Sequence, residues 1–146
     1  MTYDRADWHY GGDFPKGQPN EAGGVHIGMF LAWAIMNHLE GEDFAEAPDS
    51  EAALEAVRNR QMTGCQFLFS ECDEKFSEGT LNDEGEAFVA DYYAAEDAAY
   101  FDDYEKALAK NLPTMYHVED SWANYDVLAR VLDRRFKAWR RKQSKA

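Results

Sequence analysis

The stretch Val25–Leu39 constrains the fold of this 146-residue chain more than any other segment. Apolar side chains recur on nearly every face of a helix drawn through it, so such a helix must be covered on most sides. A helix of that kind belongs at the centre of a domain, and Gly41 offers a residue at which it can end. Because His26, Asn37 and His38 interrupt a stretch already shorter than the ~20 residues that a bilayer span needs, we predict no membrane segment.

Five further segments have the apolar spacing of amphipathic helices. They run from Asp49 or Ser50 to about Gln61, over Gly64–Phe76, Asp83–Ala95 and Phe101–Leu112, and from Asp120 or Ser121 to about Gln143. Thr63 and Gln66 match a capping box at the start of the third helix. There are few β-branched residues and no sign of a strand pair, and Pro113–Val118 is predicted to be extended. The pattern predicts a mainly α fold: one compact domain over residues 1–146, with about six helices around a central apolar helix.

Residues 1–24 are predicted to form an irregular but ordered arm on a helical body that spans residues 25–143. Glycine and proline interrupt any periodic pattern in the arm. Trp8, Tyr10 and Phe14 are nevertheless large apolar groups, and we expect the body to cover them. A short strand around Trp8–Tyr10 is a further expectation.

The N-terminus and the cysteines favour a cytoplasmic protein. The first residues have neither the basic stretch nor the apolar run of a secretory signal. Cys65 and Cys72 would lie about 10 Å apart along one helix, which is too far for a disulfide. Because Glu71 and Asp73 flank Cys72, its thiol pKa is expected to rise rather than fall. Two free structural thiols in a reducing compartment are therefore the simplest interpretation.

Charge is divided unevenly along the chain. Residues 1–129 hold seven Lys and Arg against 27 Asp and Glu, a net charge of −20, whereas residues 130–146 carry +7. A body this acidic repels nucleic acid and membrane phosphates and attracts a positive partner. We therefore expect a basic protein partner and no nucleic acid. The basic residues near the C-terminus are expected to neutralise acids of the body or to meet the acidic surface of a second copy.

The strongest candidate for a contact surface is the acidic segment, defined here as residues 91–105. Tyrosine is enriched in protein interfaces, and acids around it select a basic partner. The predicted partner-binding residues are Asp91, Tyr92, Tyr93, Glu96, Asp97, Tyr100, Asp102, Asp103 and Tyr104. An equally weighted alternative is that the tyrosines cover part of the core and keep their hydroxyls in water.

A second candidate site is polar. His9, Asp13 and His26 could bind Zn²⁺ or supply a general base, although their spacing matches no established ligand pattern. His26 opens an apolar helix, where a histidine more commonly hydrogen-bonds a nearby backbone group. No catalytic, cofactor-binding or metal-binding residue is assigned on this basis, and no cofactor is expected.

Three sequence blocks together carry a resemblance to a known family. They are Trp8-His9-Tyr10-Gly11-Gly12-Asp13-Phe14-Pro15, His26-Ile27-Gly28-Met29-Phe30-Leu31-Ala32-Trp33, and Tyr116-His117-Val118-Glu119-Asp120-Ser121-Trp122 with Asn124-Tyr125-Asp126. The set resembles a family of small bacterial cytoplasmic proteins of unknown function. The resemblance covers most of the chain. It implies no established activity, links some members to immunity against secreted toxins, and carries over no functional residues.

Three functions follow as hypotheses. The leading one is an immunity-type protein that binds and neutralises a cognate bacterial toxin through the acidic segment. The second is a small enzyme or metal-binding protein that uses His9, Asp13 and His26. The third is a homo-oligomeric structural or regulatory protein, in which the basic end of one copy meets the acidic body of another.

Overall fold

The order of elements in the computed structural model, which describes residues 1–46 and 48–145, confirms a mainly α domain. Its strands are β1 (Thr2–Arg5) and β2 (Lys75–Ser77), and its helices are α1 (Ala6–Tyr10), α2 (Val25–Met36), α3 (Glu42–Glu46), α4 (Pro48–Arg58), α5 (Gly64–Glu71), α6 (Asp83–Tyr92), α7 (Tyr100–Tyr104) and α8 (Trp122–Ser144). Two 3₁₀ turns cover Asn20–Gly24 and Met115–His117, and a π turn covers Glu105–Ala109. Across the described helices, none combines the length and apolar character that a bilayer crossing demands.

Helix α2 occupies the centre of the domain, as its all-round apolar sequence predicts. Every residue from Val25 to Ile35 is buried, and α4, α5 and α8 all contact this helix. Helices α2 and α5 cross where two glycines meet: a Cβ built on Gly64 would lie 1.7 Å from the carbonyl oxygen of Gly28. A side chain at either position would force the helices apart, so the crossing requires glycine on both sides.

The predicted capping box of α5 is present. The Thr63 hydroxyl accepts from the backbone N–H of Gln66, and the Gln66 side-chain oxygen accepts from the backbone N–H of Thr63. The predicted extension of this helix to Phe76 is wrong. Asp73 and Glu74 adopt φ values of 51° and 65°, in the left-handed region, which reverses the chain after Cys72. Residues 75–77 then leave as strand β2.

A two-stranded sheet joins the start of the arm to the body. Strand β1 pairs antiparallel with β2, placing Asp4 opposite Phe76 and Arg5 opposite Lys75. The expectation that the chain has no strand pair is therefore wrong, and so is the strand proposed around Trp8–Tyr10, which lies in helix α1. These are non-local pairings, about 70 residues apart, that a local pattern does not reveal.

The segment between α6 and α8 contains a shorter helix and more turns than predicted. The helix expected over Phe101–Leu112 is α7 followed directly by the π turn, and Pro113–Val118 contains a 3₁₀ turn instead of being extended. Helix α8 agrees with its prediction. The Ser121 hydroxyl accepts from the backbone N–H of Asn124 at the start of the helix, and Leu128, Leu132 and Phe136 are among its buried residues.

Candidate functional site

Three elements bring two histidines and a carboxylate together where the arm packs on the start of α2. Asp4 is the one buried residue of β1, His9 lies on α1, and His26 lies in the first turn of α2. Because α1 follows β1 without a loop, the sheet pairing that orients Asp4 also places His9 above the start of α2. We refer to Asp4, His9 and His26 as the histidine–aspartate cluster.

The carboxylate of Asp4 is the centre of this cluster. Its Oδ1 lies 2.8 Å from His9 Nε2, and its Oδ2 lies 3.0 Å from His26 Nε2. The Tyr93 hydroxyl donates to Oδ2 at 2.6 Å, and the backbone N–H of Arg5 donates to Oδ1 at 2.8 Å. Four donors thus replace the water that this carboxylate loses on burial, as a buried anion requires.

Aromatic residues enclose the cluster. The His9 and His26 rings stand edge to face with their centroids 4.3 Å apart, and Phe101 packs 5.4 Å from the ring of His26. The Tyr116 hydroxyl is hydrogen-bonded to His9 Nδ1 at 2.6 Å, and the Tyr100 hydroxyl donates to the His26 carbonyl oxygen. The site is therefore a largely enclosed polar centre within an aromatic shell, with His9 as its most accessible residue.

Burial and hydrogen bonding fix the charge states in the cluster. Burial alone would raise the pKa of Asp4, but the hydrogen bonds from His26 and His9 dominate and hold its pKa well below the ordinary value. Burial lowers the pKa of His26 despite the neighbouring carboxylate. Asp4 is therefore ionised and His26 neutral near pH 7. Within the described residues, His26 Nδ1 is buried and has no hydrogen-bond partner.

Of the polar site proposed from sequence, the structure brings His9 and His26 together but leaves Asp13 outside. The Asp13 side chain is exposed, and Asp4 supplies the carboxylate instead. The local sequence gives no signal for Asp4, because alternation along β1 would turn Tyr3, and not Asp4, towards the core. Recognising it requires the pairing of β1 with β2, which local patterns do not indicate.

The tyrosines of the acidic segment are core residues. Tyr92, Tyr93, Tyr100 and Tyr104 are each at most 6% exposed. The prediction that they anchor a surface is wrong, because their rings pack on α2 and on one another and their hydroxyls are also enclosed. Tyr92 donates to Asp103 at 2.6 Å, so even the acids nearest these rings serve the fold.

Most acids of the acidic segment do face solvent. Asp91, Glu96, Asp97 and Asp102 are exposed, whereas Asp103 is partly buried. Asp91 accepts a hydrogen bond from the Trp139 indole at 2.7 Å. The predicted surface thus consists of carboxylates without tyrosine anchors.

Basic residues near the C-terminus neutralise part of the negative charge of the body, as predicted. Arg135 on α8 binds Asp103 with two nitrogens at 2.8 and 2.9 Å, and Arg140 binds Glu84 at 2.7 and 3.1 Å. Six other cations near the C-terminus are exposed and have no ion-pair partner among the described residues. Five of them follow one face of α8 and its C-terminal cap and form the basic stripe, Arg130, Arg134, Lys137, Arg141 and Lys145, and the sixth is Lys142.

The remaining candidates for a binding or reactive site are Trp8, the two cysteines and the surface clefts. Trp8, which we expected the body to cover, is 55% exposed. Both cysteines are free, and burial raises the pKa of the Cys65 and Cys72 thiols to about 12, so neither is an activated nucleophile. Two clefts of about 510 Å³ each lie along α8 and beside α5, and neither is lined by a residue of the histidine–aspartate cluster.

Comparison with known proteins gives a family. Residues 2–118 match the model of the family described as Domain of unknown function (DUF7832). The chain belongs to this family. No curated protein matches the chain, and no solved structure does. His9, His26 and Tyr116, which come from the three separate blocks that carried the family resemblance, meet in and beside the histidine–aspartate cluster.

Proposed function

We propose that this protein binds a basic protein partner through the exposed acids of the acidic segment, and that it is an immunity-type protein that neutralises a bacterial toxin. The observation that supports the proposal most directly is the exposure of Glu96, Asp97 and Asp102 beside a fully internal tyrosine layer. Glu96 and Asp97 lie in the turn between α6 and α7, and Asp102 lies on α7, so buried tyrosines flank this turn on both sides. Restraint of the turn by these packed residues reduces the conformational freedom that is lost when a partner binds.

The net charge supports the same proposal. Internal ion pairs such as Arg135–Asp103 consume one cation for every anion, so they leave the net charge of −13 unchanged. Most of the excess acid therefore stays at the surface, where it favours a basic partner and speeds its association. An inhibitor of a basic toxin needs such a surface and no catalytic machinery.

Calorimetric titration with the product of the neighbouring gene, at low and high salt, tests this function. The key variant is Glu96→Lys/Asp97→Lys/Asp102→Lys, and the matched control is Glu42→Lys/Asp43→Lys/Glu51→Lys, which changes exposed acids elsewhere by the same total charge. We expect the first set to weaken binding at least ~10-fold more than the control, and high salt to weaken the wild type. Protection of cells that co-express the neighbouring protein should be lost in parallel. Equal losses in both variants, or no binding by the wild type, would contradict the proposal.

The basic stripe favours a second candidate, a homo-oligomer. Its residues follow one another at intervals of four, three, four and four, so they lie on one face of α8 over about 22 Å. This face complements the acidic body of a second copy. Light scattering should then show a mass that falls towards the monomer as salt rises, and Arg134→Glu/Lys137→Glu/Arg141→Glu should have the same effect. A monomer at all salt concentrations contradicts this candidate.

A further inference from the structure

We propose that Asp4, His9 and His26 form a binding site for one divalent transition-metal ion, with Zn²⁺ as the representative. The site is independent of the acidic surface and of any partner. It lies where three elements meet: β1, α1 and the start of α2.

The donor set fits such an ion. One ligand atom from each residue can be chosen so that all three lie within 4.8 Å of one another. Two imidazoles and one carboxylate are ligands that Zn²⁺ and other divalent first-row metals accept, and catalytic zinc sites commonly use three protein ligands. Calcium and magnesium prefer an all-oxygen shell, so the two histidines argue against them.

The distances place the three donor atoms close to coordination geometry. Bonds of about 2.0–2.2 Å to a tetrahedral ion put two ligand atoms roughly 3.4 Å apart. The Nε2 atoms of His9 and His26 lie 2.8 and 3.0 Å from the Asp4 oxygens, in direct hydrogen bonds. The two imidazoles contact different Asp4 oxygens, so an ion held by both oxygens needs each contact to open by about half an ångström, and it takes the place of the two shared protons.

The imidazoles can release those protons without losing other bonds. Binding requires each Nε2 to present its lone pair, so a neutral ring moves its proton to Nδ1. His9 Nδ1 already faces the Tyr116 hydroxyl at 2.6 Å, which is the kind of partner that orients a metal-bound histidine. His26 Nδ1 has no hydrogen-bond partner among the described residues, so nothing there fixes its tautomer.

The cluster also has a charge that a cation would balance. Asp4 is 5% exposed and His26 is 1% exposed, and no Lys or Arg side chain lies within 4.0 Å of this carboxylate in the described part of the chain. His9 is more accessible at 15%. The His9 side is therefore the side from which an ion can reach the cluster.

Zinc titration of the untagged 146-residue chain tests the site. Calorimetry should give one Zn²⁺ per chain, and saturating Zn²⁺ should raise Tm by about 5 °C or more. His9→Gln should weaken binding roughly 100-fold or more, since it removes a direct ligand rather than an outer partner. His38→Asn is the matched control, because His38 is exposed, lies away from the cluster and has a positive φ that asparagine tolerates.

Two measurements on the wild type keep the test decisive if His9→Gln does not fold. Nitrogen-15 NMR of the imidazole side chains should show Zn²⁺ shifting His9 and His26 while His38 and His117 stay in place. Co²⁺ should give the visible spectrum of nitrogen and oxygen ligation. No binding, binding unaffected by His9→Gln, shifts at His38 or His117 alone, or the thiolate absorption of Cys65 or Cys72 ligation would overturn the proposal.

Discussion

The histidine–aspartate cluster and the seam between α8 and the acidic segment both pair acids with bases from different elements, but they do so in different surroundings. Asp4 is 5% exposed and meets its partners in an aromatic enclosure. Arg135, which binds Asp103 in the seam, is 49% exposed. Water can therefore reach the Arg135 side of the seam contact, although Asp103 is only 10% exposed, and it reaches the Asp4 carboxylate less.

This difference separates the groups that hold the fold from those that remain available. Removing the acid of the cluster leaves several buried donors without an acceptor and costs far more than removing one partner of an exposed pair. The position of the arm therefore depends on Asp4. The exposed acids, in contrast, can meet a partner without weakening the domain.

Asp4→Ala gives the largest expected effect. It removes the acceptor shared by His9, His26 and Tyr93, so we expect the free energy of unfolding to fall by about 3–5 kcal/mol. Urea denaturation measures this change. Asp13→Ala, at the exposed carboxylate that sequence favoured, is the control and should change stability by less than about 0.5 kcal/mol. Similar losses in both variants would remove the distinction between the two regions.

Tyr93→Phe tests the same centre through one hydroxyl. The hydroxyl donates to an ionised carboxylate at 2.6 Å, so its loss should cost about 1.5–3 kcal/mol by urea denaturation. Tyr104→Phe is matched in size and burial, but its hydroxyl has no partner among the described residues. We expect the Tyr104 variant to be neutral or slightly more stable. A greater loss at Tyr104 would show that the hydrogen bond to Asp4 contributes little.

The seam should respond weakly to the corresponding change. A double-mutant cycle with Arg135→Ala and Asp103→Ala should give a coupling energy of about 0.2–1 kcal/mol, because the pair is partly exposed. The coupling should shrink in high salt. A coupling as large as the effect of Asp4→Ala would mean that the seam, and not the cluster, organises the domain.

Acid should remove even this small contribution. Burial alone would raise the pKa of Asp103, but hydrogen bonds from Arg135 and Tyr92 lower it below the ordinary value of about 3.9. A lowered folded-state pKa gives stability that is present above the unfolded value and is lost as pH falls through the folded value. The stability difference between wild type and Asp103→Asn should therefore be smaller near about pH 3 than near about pH 7. A difference that grows on acidification would contradict the sign of this shift.

Local features of the fold could be predicted from the sequence, and long-range ones could not. The all-round apolar pattern of α2 and the caps at Thr63 and Ser121 are encoded within a few residues. The pairing of β1 with β2 is not, and Asp4 reaches His26 and Tyr93 across 22 and 89 positions. Tyrosine beside acid suits a core layer as well as an interface, so composition alone could not place Tyr92 or Tyr100.

The central claim is that buried contacts stabilise this domain, while most of the negative charge on its surface is not neutralised by ion pairs within the chain. The free energy of unfolding of the wild type in about 0.05 M and about 0.5 M NaCl tests this claim most directly, since salt screens exposed charges and leaves buried pairs little affected. We predict that stability rises with salt, because the repulsion within a chain of net charge −13 is screened. Stability that falls with salt would contradict the account and show that the exposed ion pairs hold the fold.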